Sequence, residues 1–174
     1  MKKETCELKG VLIFTPEVYK DKRGYFFESF CEKKYKLPKF IQENESFSKK
    51  WVLRGLHFQK KPYEQAKIIR VIKGKIFDVI VDIRKNSKTF GKHFSLIVSE
   101  DNKKQIYIPE GFAHGFLALK NNTIISYKCT KYYNKKHESG IIWNDKTLNI
   151  NWHVKNPILS DKDLQNKSFK ELFK

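Results

Sequence analysis

Apolar and polar residues alternate along the middle of this chain with the period of two that a pleated strand imposes when one face is buried. The pattern predicts strands over Val52 to Phe58, Lys67 to Ile72, Ile76 to Ile83, His93 to Ser99, Gln105 to Pro109, Gly115 to Leu119 and Thr123 to Lys131. Upstream, 8–14 and 25–30 are rich in β-branched and aromatic residues and flank a polar turn, Lys20 to Gly24, so they read as strand, turn and strand. Lys73-Gly74 separates two apolar runs as a tight hairpin would, because Gly accepts the positive φ of such turns. Helical signals are sparse. Cys31 to Leu37 forms a short candidate stopped by Pro38, with extended chain over Phe40 to Asn44. Near the C-terminus, Ser160-Asp161-Lys162-Asp163 has the form of a capping box, with Pro157 before it and Leu164, Phe169 and Leu172 after it. Short strands and polar turns at this spacing predict an all-β sandwich, jelly roll or small barrel with a short C-terminal helix. No repeat or linker interrupts the 174 residues, which suffice for one core, so 1–174 is expected to form a single domain.

Charge adds the sign of a partner. Lys and Arg number 36 against 19 Asp and Glu, a formal +17, and an anionic partner is expected. The basic residues are scattered as pairs such as Lys49-Lys50 and Lys60-Lys61, with no basic tail, so nucleic acid, nucleotide and phosphate all qualify on charge. An aromatic content of 14% would permit a base-stacking β-barrel. Phe77, Tyr127 and Trp143 nevertheless sit in apolar alternation with no Arg stripe between them, which argues against nucleic acid. Neither a Gly-rich phosphate loop nor a G-x-S-x-G elbow occurs, so any phosphate must be held by Arg and Lys side chains. Cys6, Cys31 and Cys129 form no Cys-x-x-Cys pair, and the apolar runs are far below a membrane span. A cytoplasmic protein with free thiols and no membrane contact is expected.

The candidate chemistry centres on Trp51 to Arg70, which sets His57 and Lys67 on neighbouring strands. Period two puts Leu53, Gly55, His57 and Gln59 on one face, and Lys67 beside Ile69 and Val71. A base and a cation on a largely apolar face suit proton abstraction next to a carbonyl. Tyr127 shares an inward face with Ile125 and Cys129, where a core Tyr bonding a backbone carbonyl is the plainer reading. Asp78 and Asp82 flank Ile80, either as buried partners of Lys67 or Arg70 or as a solvent face. Asp163, third in the capping box, has a structural explanation of its own. For metal, His57, His93, His114, His137 and His153 offer no His-x-His pair. Pro109 to His114 looks like the second half of the cupin metal motif, but the first half is missing, so no metal is expected.

Taken together, Asp21-Lys-Arg-Gly-Tyr-Phe-Phe-Glu-Ser, Val52-Leu-Arg-Gly-Leu-His-Phe-Gln, Phe77-Asp-Val-Ile-Val-Asp-Ile-Arg, Ile108-Pro-Glu-Gly-Phe-Ala-His-Gly-Phe and Gly140-Ile-Ile-Trp-Asn-Asp resemble one family. From about Gly10 to Asp163 the chain is similar to the dTDP-4-dehydrorhamnose 3,5-epimerases. The resemblance implies a cupin-type jelly roll, usually a homodimer, that acts on a nucleoside-diphosphate 4-keto-6-deoxy sugar without metal or cofactor. It implies His57 as base, Asp163 as its orienting carboxylate, Tyr127 as acid and Lys67 as enolate stabiliser. It carries substrate contacts onto Arg23, Glu28, Gln42, Asn44, Arg54, His114, Glu138 and Lys162. Glu43 and Glu45 depart from the family pattern Gln-Asp-Asn-His-Ser and add negative charge near the presumed anion site. A sugar-nucleotide 3,4-ketoisomerase shares part of these motifs and is the alternative.

Overall fold

The computed structural model describes all residues, 1–174, and shows two antiparallel sheets packed face to face in a cupin-type jelly roll. The larger sheet holds β1 (Lys2–Thr5), β2 (Leu12–Thr15), β10 (Gln105–Ile108), β7 (Lys67–Lys73), β12 (Thr123–Cys129) and β5 (Gln42–Ser48), in that order. The smaller holds β13 (Glu138–Gly140), β6 (Leu53–Gln59), β11 (Phe112–Ala118), β8 (Lys75–Asp82) and β9 (His93–Ser99). A separate ribbon pairs β3 (Tyr19–Asp21) with β4 (Gly24–Phe26). Three single-turn helices complete the chain: α1 (Glu32–Tyr35), α2 (Asp161–Leu164) and α3 (Phe169–Leu172).

Alternation within the strands decides what lies between the sheets. Ile69 and Val71 of β7, Ile76 and Ile80 of β8 and Ile125 of β12 project inward and pack with Ile106, Phe112 and Phe116. Each such side chain, fully buried, contributes roughly 1.5–3 kcal/mol. The outer faces are covered too. Ile68 packs under Tyr35 and Phe14, while Val79, Val81 and Leu117 pack under the C-terminal segment through Leu148, Trp152 and Phe169. This inner filling is confined to one side of the sandwich. Where β5 and β12 face β6 and β13, polar residues line a cleft instead.

Local departures from the expected elements have physical causes. Lys73-Gly74 is not a hairpin, because β7 and β8 belong to different sheets; Gly74, at φ +88, turns the chain across the sandwich. A Cβ there would lie 2.4 Å from the Thr123 hydroxyl oxygen, so the same glycine signal served a corner rather than a two-stranded turn. The segments on either side of Lys20 to Gly24 do not pair with one another as whole strands. β2 pairs with β1 and β10, and only the three residues beside the turn on each side form the ribbon. The helix expected after Ser160 is two separate turns: Ser160 caps α2, and the reciprocal capping box forms at Ser168 and Glu171.

Candidate active site

The position of His57 begins with an irregularity in β6. His57 pairs with His114, but the next partners are Arg54 and Phe116, so β6 carries one residue more than β11. That bulge contains Gly55, at φ +119, whose missing Cβ would stand 2.6 Å from the Gly115 Cα and 2.7 Å from the His114 carbonyl oxygen. Only glycine allows the strands to approach so closely. The bulge also overturns the expected face. Leu53 shares the outer layer with Leu56 and Phe58, whereas Arg54 and His57 turn together into the cleft.

Asp163 lies directly behind His57, 3% exposed, with Oδ1 2.5 Å from His57 Nε2 and Oδ2 accepting from the Ser160 hydroxyl at 2.8 Å. Burial opposes ionisation of this carboxyl, but His57, Ser160 and the Gly55 amide outweigh it and hold the pKa below the ordinary aspartate value. An ionised Asp163 can only accept, so Nε2 of His57 carries the proton and Nδ1 is left with a lone pair. Asp163 is therefore both part of the helix cap and the partner of His57.

Lys67 and Tyr127 reach the same cleft from the opposite sheet. Burial lowers the Lys67 pKa, opposed by Cys129 and Glu138, and the ammonium lies 5.9 Å from the Tyr127 ring centroid. Burial raises the Tyr127 phenol, with Cys129 adding to the rise and Arg54 opposing it. The hydroxyl of Tyr127 forms no hydrogen bond to the backbone, unlike that of Tyr35, which donates to Gln105 and the Ser29 carbonyl.

The cleft has two adjoining compartments of about 250 and 240 Å³. Gln42, Asn44 and Glu138 line the first, Arg54 and His114 the second, and His57, Lys67 and Tyr127 line both. Glu138 is tied to Lys162 and to the Tyr133 hydroxyl. Arg54 donates to the Ser48 hydroxyl and the Phe47 carbonyl. Two of the expected contacts are not brought here. Arg23 closes back on Asp21 at 2.6 Å on the β3–β4 ribbon, and Glu28 pairs with Lys34 at 3.0 Å.

Other expectations change. Asp78 and Asp82 are fully buried, but neither meets Lys67 or Arg70: Asp78 bonds His114 at 2.8 Å, and Asp82 takes Arg84, Ser87 and Thr89. Glu43 and Glu45 lie on the face of β5 opposite to Gln42 and Asn44, with Glu43 bound to Lys128, so their charge is directed away from the cleft. Sequence reasoning missed Ser46, Gln65 and Tyr133, which also line it. Ser46 was legible in principle, since it continues the alternation of Gln42 and Asn44.

The chain is similar to known proteins in sequence and in fold. A family model described as dTDP-4-dehydrorhamnose 3,5-epimerase matches residues 5–171. The chain belongs to the dTDP-4-dehydrorhamnose 3,5-epimerase family. It is 49% identical to the Shigella flexneri dTDP-4-dehydrorhamnose 3,5-epimerase, over 94% of this chain and 93% of that one. It is similar to the Bacillus anthracis enzyme solved with TDP and PPi bound, at TM-score 0.95 and 43% identity, covering 97% of this chain and 99% of that chain. The Legionella pneumophila enzyme in complex with dTDP-4-keto-L-rhamnose aligns at TM-score 0.93 and 40% identity, covering 97% and 93%. The chain is a sugar-nucleotide epimerase. No helix of this family member is long and apolar enough to cross a membrane.

Proposed function

We propose that the chain, as one catalytic unit over 1–174, inverts C3 and C5 of dTDP-4-dehydro-6-deoxyglucose by two rounds of proton removal and return. The observation that carries this reading is the opposition of the His57–Asp163 pair on the smaller sheet to Lys67 and Tyr127 on the larger, across one cleft. The proton beside the ketone passes to His57 Nδ1, and the imidazolium that forms is stabilised by the Asp163 carboxylate. The electron pair left on carbon moves onto the carbonyl oxygen, where the Lys67 ammonium meets the charge as it develops. One such preorganised donor is worth about 3–4 kcal/mol in the barrier. Tyr127 returns a proton from the other side of the planar enolate, which inverts the centre. Arg54 and Lys162 suit the pyrophosphate, and the exposed ring of Tyr133 beside Gln42 suits the base.

Arg23 and Glu28 act, in this reading, in the site of a second copy of the chain. The ribbon that carries Arg23 belongs to neither sheet, and it leaves Tyr19, Tyr25 and Phe26 at 58%, 58% and 70% exposure. Aromatics so exposed on a projecting ribbon suit an isologous homodimer in which each ribbon covers its partner's cleft. The three free thiols suit the cytoplasm.

Incubation in heavy water tests the activity. Deuterium is expected at C3 and C5 of dTDP-4-dehydro-6-deoxyglucose, with much less incorporation into a GDP-linked 4-keto sugar. Absence of wash-in from both would overturn the epimerase assignment of this site, and preference for the GDP sugar would overturn the choice of nucleotide.

A further inference from the structure

A cavity of about 500 Å³ adjoins the cleft between the base and the acid without being part of it. It shares Lys67 and His114 with that cleft, and Phe58, Gln59 and Gln65 at the boundary, but no residue of β5 or β12 lines it. Its other walls come from the turn after β6, from Ile83 to Asn86 after β8, from the loop before β11 and from Phe173. It meets the cleft at Lys67, and none of Arg54, Tyr133 and Lys162, assigned above to the nucleotide, lines it.

The charge of this cavity is one-sided. Lys60, Lys61, Lys67, Arg84 and Lys85 line it against a single carboxylate, Glu64. Arg84 is already neutralised by Asp82 at 2.7 Å and lies 4.3 Å over the Phe112 ring. Lys60, Lys61 and Lys67 form no ion pair, and Lys85 donates to the main-chain oxygen of Lys174, at 3.0 Å. Four ammonium groups around one concave space concentrate anions there, Lys67 from its half-buried wall and Lys60, Lys61 and Lys85 from its exposed rim. Asn86, Gln59 and Gln65 supply neutral donors beside them.

We propose that this second cavity is an anion-binding site for a small phosphorylated solute, held by Lys60, Lys61 and Lys85, and that an anion bound there inhibits the enzyme by drawing on the Lys67 ammonium that the two spaces share. The inhibitory part rests on the role given to Lys67 above; binding itself does not. Because the bound anion and the sugar nucleotide occupy different spaces, saturating substrate does not displace the anion. Inhibition therefore falls on kcat, and the substrate and the anion weaken one another only through the ammonium they share.

The test uses the full-length enzyme, with inorganic phosphate and pyrophosphate as probes at constant ionic strength. Calorimetric titration is expected to show an anion site that persists when the substrate cleft is filled with dTDP. In the Lys60→Ala/Lys61→Ala/Lys85→Ala variant the anion affinity is expected to fall at least about tenfold, which corresponds to ~1.4 kcal/mol. Its kcat and KM without added anion are expected to stay within about twofold of the parent, since none of the three lysines lines the cleft. In steady-state assays the anion is expected to lower kcat of the parent and to lose that effect in the variant. Loss of the bound anion on adding dTDP would overturn the proposal, as would purely competitive inhibition, an unchanged affinity in the triple variant, or absence of binding to a folded parent. If binding follows the prediction but Lys67→Ala leaves the epimerisation rate intact, the reading of Lys67 fails and the anion site stands. A triple variant that fails to fold is replaced by the three single variants, whose affinities are expected to fall additively.

Discussion

Lys67 holds a charge that its surroundings oppose, and this makes it the most informative single residue of the site. In the proposed mechanism the ammonium is the active form, and burial puts its pKa below the ordinary 10.5. The charge, and with it kcat/KM, is lost as pH rises through that lowered value, so the alkaline limb is expected below 10.5. Tyr127 shifts in the opposite direction, since burial raises its phenol above the ordinary 10.0. Lys67→Arg, with a cation that does not titrate in this range, is expected to move the alkaline limb upward while lowering kcat, as a pH–rate profile would show. An unmoved limb would assign it to another group. Asp163 behaves in the opposite sense. Its pKa lies below 3.8, so the stability its ionised form contributes is present above that pH and is lost as pH falls through the depressed value.

At the scale of the element, the bulge in β6 does more for the site than any regular strand. Gly55→Ala would force a Cβ to within 2.6 Å of the β11 backbone at a φ of +119. A destabilisation of at least about 2 kcal/mol is expected by denaturant titration, with kcat falling further than the loss of folded protein explains, because His57 follows two residues later. A variant of full stability and activity would show that the register survives without the bulge. The same bulge explains where the chain resisted sequence reading. Period two assigned Lys67, Tyr127, Ile69 and Ile125 to the interior, because β7 and β12 are regular where those residues stand. It failed at Leu53 and His57, since one extra residue exchanges the two faces and no hydropathy signal marks it. The partners of Asp78 and Asp82 were equally hidden. A carboxylate in an apolar strand announces burial with a partner, but His114 and Arg84 are chosen by cross-strand register and by the loop after β8. Lys2 to Thr5 gave no strand signal because it is an exposed edge, held by pairing with β2 rather than by apolar residues.

The whole molecule places His57 and Tyr127, the proposed proton-transfer groups, on different sheets, and the proposed dimer would separate Arg23 from the His57 it serves. The second separation predicts complementation. An Arg23→Ala chain and a His57→Asn chain, each nearly inactive alone, are expected on mixing and subunit exchange to regain about a quarter of the wild-type rate, since half the dimers are mixed and one site in each is intact. No recovery, with mixed dimers demonstrated by mass spectrometry, would place Arg23 in its own chain's site. The first separation is the centre of the proposed mechanism: a base at His57 and an acid at Tyr127, acting from opposite sides of the sugar ring, would make exchange and inversion separable events. The direct measurement follows deuterium incorporation and configuration together, by proton NMR in heavy water, for His57→Asn and Tyr127→Phe. His57→Asn is predicted to abolish both, whereas Tyr127→Phe is predicted to retain exchange at C3 or C5 while the centre keeps its configuration. Inversion by Tyr127→Phe at near the wild-type rate, or exchange by His57→Asn, would contradict it.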